Sequence, residues 1–197
     1  MIFTWIAEIE QSVLRTTNQC PIDGKLRWRI PDVHRVFELQ RATTNVVSQQ
    51  SLVSDRFQTP SGYEFRARIF FNGSGRGKNT HCSLFIQMCK TDFDATLHYP
   101  FTGRISLEVL DQRQYYINPK RNHKKFFRTN ESACFMQPEG DFCPENGLAE
   151  FISHDMLFGD HSECPIYVKN DTVFLEVVIN PQVLYTPEPS RAAGAQG

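Results

Sequence analysis

A glycine-rich stretch at residues 72–81, NGSGRGKNTH, is the part of this sequence that most resembles a site built for chemistry. A P-loop surrounds a phosphate with backbone N–H groups and a lysine, and it needs a glycine, four residues and then glycine, lysine and a hydroxyl residue. Gly77 and Lys78 fit that pattern, but Asn72 stands at the first glycine position and Asn79 at the hydroxyl position. The dinucleotide fingerprint fails as well, because the glycines recur at every second residue. The sequence therefore argues against a nucleotide site.

The sequence also gives no support for a metal site or for nucleophilic catalysis. His154, His161 and Cys164 suggest zinc, but a structural zinc site needs four ligands, usually from two closely spaced pairs. The nearest upstream cysteine, Cys143, stands alone. No G-x-S-x-G motif is present, and nothing assigns a base to a serine or cysteine nucleophile. We therefore predict no metal, no cofactor and no catalysis.

The residues on either side of the glycines predict two strands joined by a loop. Residues 65–71 and 82–88 both alternate at period two and are rich in apolar side chains. This alternation places Arg68, Phe70 and Phe85 on the same face, opposite the apolar set. An arginine beside two aromatic side chains on a solvent face is typical of a recognition surface. The alternative is that a second layer of the fold covers both phenylalanines.

Composition favours one all-β domain of ordinary size. The chain has 197 residues, a net charge of -1 and 16 phenylalanines, and its short apolar runs are separated by turn residues. The charge balance gives no support for nucleic-acid binding. The six cysteines are scattered, and we find neither a signal-peptide pattern nor an apolar run of membrane-spanning length. These features predict unpaired thiols and a cytoplasmic location.

The first 20 residues differ from the rest of the chain. Ile2, Ile6, Ile9 and Val13 recur at spacings of four, three and four, which is the seam of a coiled coil. We interpret residues 1–20 as the end of a trimerising coiled coil; the alternative is an amphipathic helix that packs on its own domain. Residues 21–182 are then the β domain, and residues 183–197 a disordered tail.

Strands are predicted at residues 25–30, 46–53, 104–109, 147–152 and 173–179, besides the hairpin, which together favour an antiparallel sandwich. Residues 112–144 form a long stretch of weak periodicity, which we interpret as a functional or mobile loop. It contains the basic run 120–125, followed by two phenylalanines and an arginine. A solvated loop is the first interpretation of this run, and contact with phosphates or an anionic membrane surface is the second.

Six motifs, taken in order, resemble the C-terminal MATH domain of the TRAF family, the tumour necrosis factor receptor-associated factors. They are GxLxWxIxD at 24–32, the Gly-Tyr pair at 62–63, NGxGxGxxTHxSLF at 72–85, FDATLHYPF at 93–101, LDQ at 110–112 and YVKNDTVFL at 167–175. The resemblance implies an eight-stranded antiparallel β-sandwich that trimerises through a preceding coiled coil. It also implies that this region is not an enzyme, although a RING ubiquitin-ligase domain often lies upstream in the family.

Domains of this family bind short extended peptides of receptor cytoplasmic tails or adaptor proteins by adding them as a strand to a sheet edge. Carried over to this chain, the resemblance implies peptide contacts from an arginine, the aromatic residue two positions after it, a loop position, two pocket aromatics, a run of three residues that in the family are serines, the phenylalanine after them, and the pair before the edge strand with the residue that follows it. The corresponding residues are Arg68, Phe70, Ser74, Phe85, Phe127 (with Phe126 as its alternative), Ser132, Ala133, Cys134, Phe135, Asn146, Gly147 and Leu148.

Several of these residues depart from the family pattern. Phe70 lacks the hydroxyl of a tyrosine, Ser74 replaces an aspartate, and only Ser132 keeps the hydroxyl of the serine run. Each hydrogen bond lost in this way is worth about 1 kcal/mol. We therefore expect a less polar peptide consensus than is usual in the family. The alternative function is an assembly or membrane-surface module whose basic loop binds anionic lipid headgroups.

Overall fold

Two antiparallel sheets packed face to face form the domain in the computed structural model, which describes residues 22–42, 51–114, 120–129, 132–159 and 166–182. The predicted seam residues Ile2, Ile6, Ile9 and Val13, the tail at 183–197, and His161 and Cys164 lie outside the described residues. The strands are β1 (Lys25–Ile30), β2 (Leu52–Val53), β3 (Phe57–Gln58), β4 (Glu64–Phe70), β5 (His81–Cys89), β6 (Gly103–Val109), β7 (His123–Arg128), β8 (Asn146–Ser153) and β9 (Val173–Pro181).

One sheet has the order β1-β9-β6-β7 and the other β2-β4-β5-β8, with β3 also pairing with β4. The two shortest strands, β2 and β3, lie along the same edge of β4, and their registers with it differ by one residue. Ser54 fills the break, because its backbone N–H donates to the Ala67 carbonyl while its hydroxyl accepts from the Ala67 N–H, each at 2.9 Å. Counted as one interrupted strand, β2 and β3 give the eight-stranded sandwich that the sequence predicts.

Aliphatic residues and phenylalanines together form the core between the sheets. The hairpin β4–β5 contributes its predicted apolar face, and every member of that set is buried: Phe65, Ala67, Ile69, Phe71, Cys82, Leu84, Ile86 and Met88. The facing sheet contributes alternate residues of β9, namely Val173, Leu175, Val177 and Ile179. Six phenylalanines lie in this core, and burying one phenylalanine side chain stabilises a fold by about 3 kcal/mol.

Two helices that the sequence patterns do not predict lie at one end of the sandwich. Helix α1 spans Val33–Ala42, and α2 spans His154–Phe158. The rings of Phe37 and Phe158 lie 4.8 Å apart and join the two helices. The α1 side chain of Gln40 reaches the hairpin loop, where its carbonyl oxygen accepts a hydrogen bond from the Asn72 backbone at 3.0 Å.

The prediction of an irregular loop over residues 112–144 was wrong, because this stretch contains β7. The strand pairs along its whole length with β6, from Val109 opposite His123 to Arg104 opposite Arg128. It was missed because the positions that face inward include His123 and Lys125, so apolar alternation is lost. The basic run is therefore partly an edge strand rather than a solvated loop.

Candidate functional site

Three neighbouring strands bring three of the predicted site residues, Arg68, Phe85 and Gly147, into one row. In the sheet containing β4, β5 and β8, Arg68 pairs with Phe85, and Phe85 pairs with Gly147. All three positions lie on the outer face, since the alternate residues of β4 and β5 form the core. The sheet thus places an arginine, an aromatic ring and a position without a side chain side by side.

The edge of β8 beside this row has no strand partner among the described strands, because β8 ends its sheet. Asn146 and Gly147 open this strand instead of preceding it. At Gly147 an added Cβ would lie 2.3 Å from the Leu84 carbonyl oxygen and 2.6 Å from the Phe85 Cα. Glycine is therefore required where β8 passes close to β5. Leu148 is half-buried and packs against the core.

The aromatic residues of the site divide between its surface and its floor. The Phe70 and Phe85 rings meet edge to face with centroids 6.0 Å apart. Phe70 is only 7% exposed, so the expectation that both rings lie open to solvent was wrong for Phe70, while Phe85 is half-buried. Phe127 is half-buried against the core, and Phe135 lies within it. Phe70 and Phe85 can therefore supply an apolar floor, with Phe85 as its accessible part.

The segment Ser132–Phe135 lies beside the start of β8. Ala133–Phe135 is one turn of 3-10 helix, and the Phe135 N–H donates to the Ser132 carbonyl at 3.0 Å. The Cys134 thiol donates to the Glu145 carbonyl at 3.6 Å, which attaches this turn to the residue before β8. The structure therefore brings the predicted Ser132-Ala133-Cys134 run to the same edge as Gly147.

Two buried side-chain polar atoms in the described part of the chain have no hydrogen-bond partner, and both belong to this site. They are Nε of Arg68 and Oγ of Ser132. An unpaired buried polar group costs about 1–3 kcal/mol, and such groups are rare in native structures without a functional reason. Both atoms can form hydrogen bonds that the described part of the domain does not supply.

Arg68 makes a single long contact with Glu145, an acidic residue that is not among the predicted site residues. Its Nη1 lies 3.4 Å from Oε2 of Glu145, and both side chains are about one third exposed, at 30% and 31%. Nothing in the sequence links two residues this far apart in the chain; only the β4–β5–β8 register brings them together. Glu145 is therefore a site residue that required the structure.

A second arginine, Arg66, lies one row further along β4. Its Nε and Nη2 donate to the Gln87 side-chain carbonyl at 3.0 and 2.8 Å, and its guanidinium lies 3.3 Å from the Phe142 ring centroid. Burial, with smaller contributions from Arg68 and Arg56, lowers the pKa of Arg66. It remains charged at neutral pH, because an arginine titrates far above that range.

Ser74 and the glycine loop close the other end of the site. The Ser74 backbone N–H donates to the Ser83 hydroxyl at 2.8 Å, and that hydroxyl donates to the Ala149 carbonyl at 2.5 Å. The loop amides also have internal partners, since Asn79 N–H donates to the Asn72 carbonyl at 2.9 Å. The glycine loop therefore packs onto β8 and does not form a phosphate cradle.

The basic run on β7 has internal partners of its own. Lys124 forms an ion pair with Glu108, and the Lys125 ammonium donates to the Glu150 carbonyl at 2.6 Å. Phe126, which is 56% exposed, lies under the guanidinium of Arg104 at 3.8 Å. Because both lysines are engaged within the domain, this geometry does not favour the anionic-lipid alternative.

The described residues contain neither a metal-binding cluster nor a membrane-spanning helix. No group of three or more histidine, cysteine or acidic side chains is arranged to hold a metal in the ranges that the structure describes. His154 lies 2.8 Å from the Phe71 carbonyl through Nε2, and burial lowers its pKa. Over the same residues, no helix has the length and hydrophobicity needed to cross a membrane.

Comparisons with known proteins agree with the geometry. The TRAF/meprin MATH domain family matches residues 49–176. TNF receptor-associated factor 5 of Mus musculus is 34% identical over 160 residues, covering 80% of this chain and 26% of that protein. TNF receptor-associated factor 1 of Mus musculus is 32% identical over 178 residues, covering 89% of this chain and 40% of that protein. The chain thus spans about a quarter to two fifths of the length of these relatives.

Among solved structures, TRAF5 of Notothenia coriiceps superimposes with a TM-score of 0.75 at 28% sequence identity. The match covers 92% of this chain and 88% of that one. The family match extends over most of the sandwich, including β4, β5 and β8 of the candidate site. On these grounds the chain belongs to the TRAF/meprin MATH domain family.

Proposed function

We propose that this chain is a trimeric signalling-adaptor domain that binds short extended peptides of receptor cytoplasmic tails or adaptor proteins. The peptide pairs with the free edge of β8 as an additional strand, so backbone hydrogen bonds supply affinity and the outer face of the sheet reads side chains. The names of the relatives, TNF receptor-associated factors 5 and 1, support receptors as the source of the peptide. Binding to cytoplasmic tails places the domain in the cytoplasm.

The observation that carries this proposal is the combination of an unpaired edge with unpaired polar atoms. β8 has no second strand partner among the described strands, and Arg68 lies on β4 of the same sheet, with β5 between them. Nε of Arg68 and Oγ of Ser132 are the two buried side-chain atoms without a partner in the described residues, and the turn that follows Ser132 is attached to Glu145 just before β8. A peptide laid along this edge, with side chains over the outer face of the sheet, brings donors and acceptors toward these atoms. A surface with only a structural role would not require hydrogen-bonding groups to stay unpaired there.

The side chains at the site support a less polar consensus than is usual in the family. Phe70 and Phe85 offer an aromatic floor without a hydroxyl, and Ala133 and Cys134 leave Ser132 as the hydroxyl of its run. We therefore expect apolar peptide side chains over Phe85. The domain has no catalytic role in this proposal, and any RING ubiquitin-ligase activity belongs to another part of a longer protein.

The test is a binding measurement with backbone-modified peptides. An array of receptor-tail peptides is screened, and the peptide that binds most strongly is synthesised with N-methyl groups at alternate residues, in two complementary sets. Strand addition uses the amides of alternate residues only, so one set should abolish binding and the other should leave it within about twofold. Equal effects from both sets would contradict pairing along β8.

A protein variant checks that the peptide lies at this edge. Arg68→Ala should weaken binding of the unmodified peptide by about tenfold, because a hydrogen bond to a charged group is lost. Arg104→Ala is the matched control, since Arg104 is an exposed arginine on the outer face of the other sheet. Unchanged calorimetric affinity in Arg68→Ala would remove this residue from the site.

A further inference from the structure

Glu145 provides an acidic side chain beside Arg68 in the proposed peptide-binding groove, which is the free edge of β8 together with the outer face of β4 and β5. Its Oε2 lies 3.4 Å from Nη1 of Arg68. Arg68 has no other acidic partner among the described residues. The positive charge that an acidic peptide residue would seek is therefore already compensated by the domain itself.

The backbone holds Glu145 in this position from both sides. Pro144 precedes it and fixes its own φ, and β8 begins immediately after it at Asn146. The Glu145 carbonyl also accepts a hydrogen bond from the Cys134 thiol at 3.6 Å. Glu145 is consequently a defined part of the groove.

The neighbouring arginine does not compete for this carboxylate. Arg66 directs Nε and Nη2 to Gln87 and stacks against Phe142, while the Gln87 amide donates to the Cys143 carbonyl at 3.2 Å. This arrangement fills the space around Arg66 with neutral partners and leaves Glu145 to Arg68. The contacts of Arg66 with Gln87 and Phe142 thus leave Arg68 as the arginine that pairs with Glu145.

The ion pair is also incomplete. Arginine and a carboxylate form two parallel short bonds when their geometry is good, whereas here one long contact is present and Nε has no acceptor. The other donors of the guanidinium and the second oxygen of Glu145 have no hydrogen bond to another described residue. Together, Arg68 and Glu145 offer a donor next to an acceptor at the groove.

We propose that Glu145 determines the peptide specificity of this groove by excluding an acidic residue beside Arg68 and favouring a side chain that both donates and accepts hydrogen bonds. A side-chain carboxamide, from asparagine or glutamine, fits this chemistry, since its oxygen accepts from the Arg68 guanidinium and its amide donates to Glu145. A carboxylate has no donor for Glu145 and is repelled by its charge. This inference rests on the proposed peptide-binding function and names the ligand chemistry of the same site.

The experiment is a selection of phage-displayed random twelve-residue peptides on three proteins: the wild-type chain, Glu145→Gln and Glu150→Gln. Glu150 is the matched control, because it is an exposed carboxylate on β8, the strand that begins directly after Glu145, and it forms no ion pair with Arg68. Both variants change the net charge by the same amount. The unfolding midpoint of each variant is measured so that a loss of folding is recognised.

We expect the peptides selected by the wild-type chain and by Glu150→Gln to share a motif without an enriched acidic position. Glu145→Gln should retain that motif and gain one acidic position. A synthetic peptide carrying glutamate there should bind Glu145→Gln about fivefold more tightly than it binds the wild-type chain, the range expected for a partly exposed ion pair. The same peptide carrying glutamine should bind Glu145→Gln no more tightly than it binds the wild-type chain, because its amide then donates to a neutral acceptor in place of a carboxylate.

Two results would overturn the inference, and they have different meanings. In the first, the wild-type chain already enriches an acidic position and Glu145→Gln selects the same motif. The ligand then displaces Glu145 from Arg68, so Glu145 has no selective role, but the proposed peptide binding is still supported. If none of the three folded proteins selects any motif, peptide binding at this edge fails, and the inference fails with it.

Discussion

Asp111 is a buried carboxylate that holds the segment leading into β7. Its two oxygens accept from the guanidinium of Arg113, with Oδ2 at 2.5 Å from Nη2, and from the backbone N–H of Arg121 at 2.7 Å. These hydrogen bonds, with the Arg113 guanidinium first among them, hold the pKa of Asp111 well below its usual range. Because Arg121 lies two residues before β7, the carboxylate helps to position the strand that adjoins β8.

Asp111→Asn should therefore lower the free energy of unfolding by about 3 kcal/mol at pH 7, since one partner of a buried ion pair is removed. A carboxylate whose pKa is depressed in the folded state contributes stability above its unfolded pKa of about 3.9, and this contribution falls as pH drops through the folded pKa. The difference between the wild-type chain and the variant should shrink by about 1 kcal/mol between pH 7 and pH 3.

Urea unfolding at the two pH values measures both effects. Asp92→Asn is the control, because Asp92 is exposed, and we expect it to change stability by less than about 0.5 kcal/mol. A difference between the wild-type chain and Asp111→Asn that stays constant with pH would show that the ionised carboxylate is not the source of the stability.

Single residues of the candidate site differ in how far the sequence predicts them. Alternation is enough to place Arg68 and Phe85 on one face, because period two is a local property of the backbone. It does not show that Phe70 on that face is covered, since burial depends on what packs above the sheet. Glu145 could not be found locally, because its contact with Arg68 exists only through the pairing of three strands.

At the scale of elements, an irregularity in β8 connects the glycine loop to the candidate site. Leu84 pairs with Leu148, but Cys82 pairs with Ile152, so three residues of β8 lie opposite Ser83 alone. The Ser83 hydroxyl donates to the Ala149 carbonyl within this bulge. Gly77 fits against the same carbonyl, where an added Cβ would lie 1.9 Å from the oxygen.

Gly77→Ala should therefore push the loop away from β8 and lower the free energy of unfolding by about 2 kcal/mol, as overpacking does at a close contact with backbone. Gly140→Ala is the matched control, because no atom lies within 4 Å of the position of its added Cβ and its φ is not in the left-handed region. Urea unfolding of the two variants measures the difference. Equal stability would mean that the loop moves away from Ala149 without cost.

The elements themselves were predicted where the sequence carries a strong local pattern. Strand β1 has the predicted bounds, and the hairpin β4–β5 has the predicted faces. Helix α1 was missed because Gln40 occupies a buried position of its stripe, where it binds the Asn72 backbone, so the apolar period is incomplete. Strand β7 was missed because lysine and histidine point toward β8 and satisfy carbonyls there. In both elements, polar side chains that make specific hydrogen bonds occupy inward-facing positions. The sequence therefore lacks the regular spacing of apolar residues that predicts a helix or a strand.

For the whole molecule, the site occupies the side of the sandwich where the two sheet edges meet. The edge strands β7 and β8 belong to different sheets, and His123 Nε2 lies 2.8 Å from the Phe151 carbonyl. This contact lies at the far end of β8 from Asn146, so the start of the strand remains the part open to a partner. One short edge supplies few hydrogen bonds, and strong recognition of receptors then depends on several sites acting together.

We propose that trimerisation brings several β8 edges together for simultaneous binding. The predicted seam residues lie outside the described residues and are Ile2, Ile6, Ile9 and Val13. Replacing Ile6 and Ile9 by lysine should reduce the solution mass from that of three chains to one chain of 22.8 kDa. A single peptide in solution should bind the variant as it binds the wild-type chain, because the β8 edge is unchanged. Binding to a surface densely coated with that peptide should fall by about a hundredfold, because avidity is lost.

Light scattering gives the mass, calorimetry the affinity for the single peptide, and surface binding the avidity. Lysines at Gln11 and Ser12, which are outside the seam, add the same charge and should leave all three values unchanged. If the seam variant became monomeric and still bound the coated surface as tightly as the wild-type chain, a single β8 edge would be sufficient for recognition. The strength of binding to clustered receptors would then have to arise within one domain, from side-chain contacts such as those of Arg68 and Phe85.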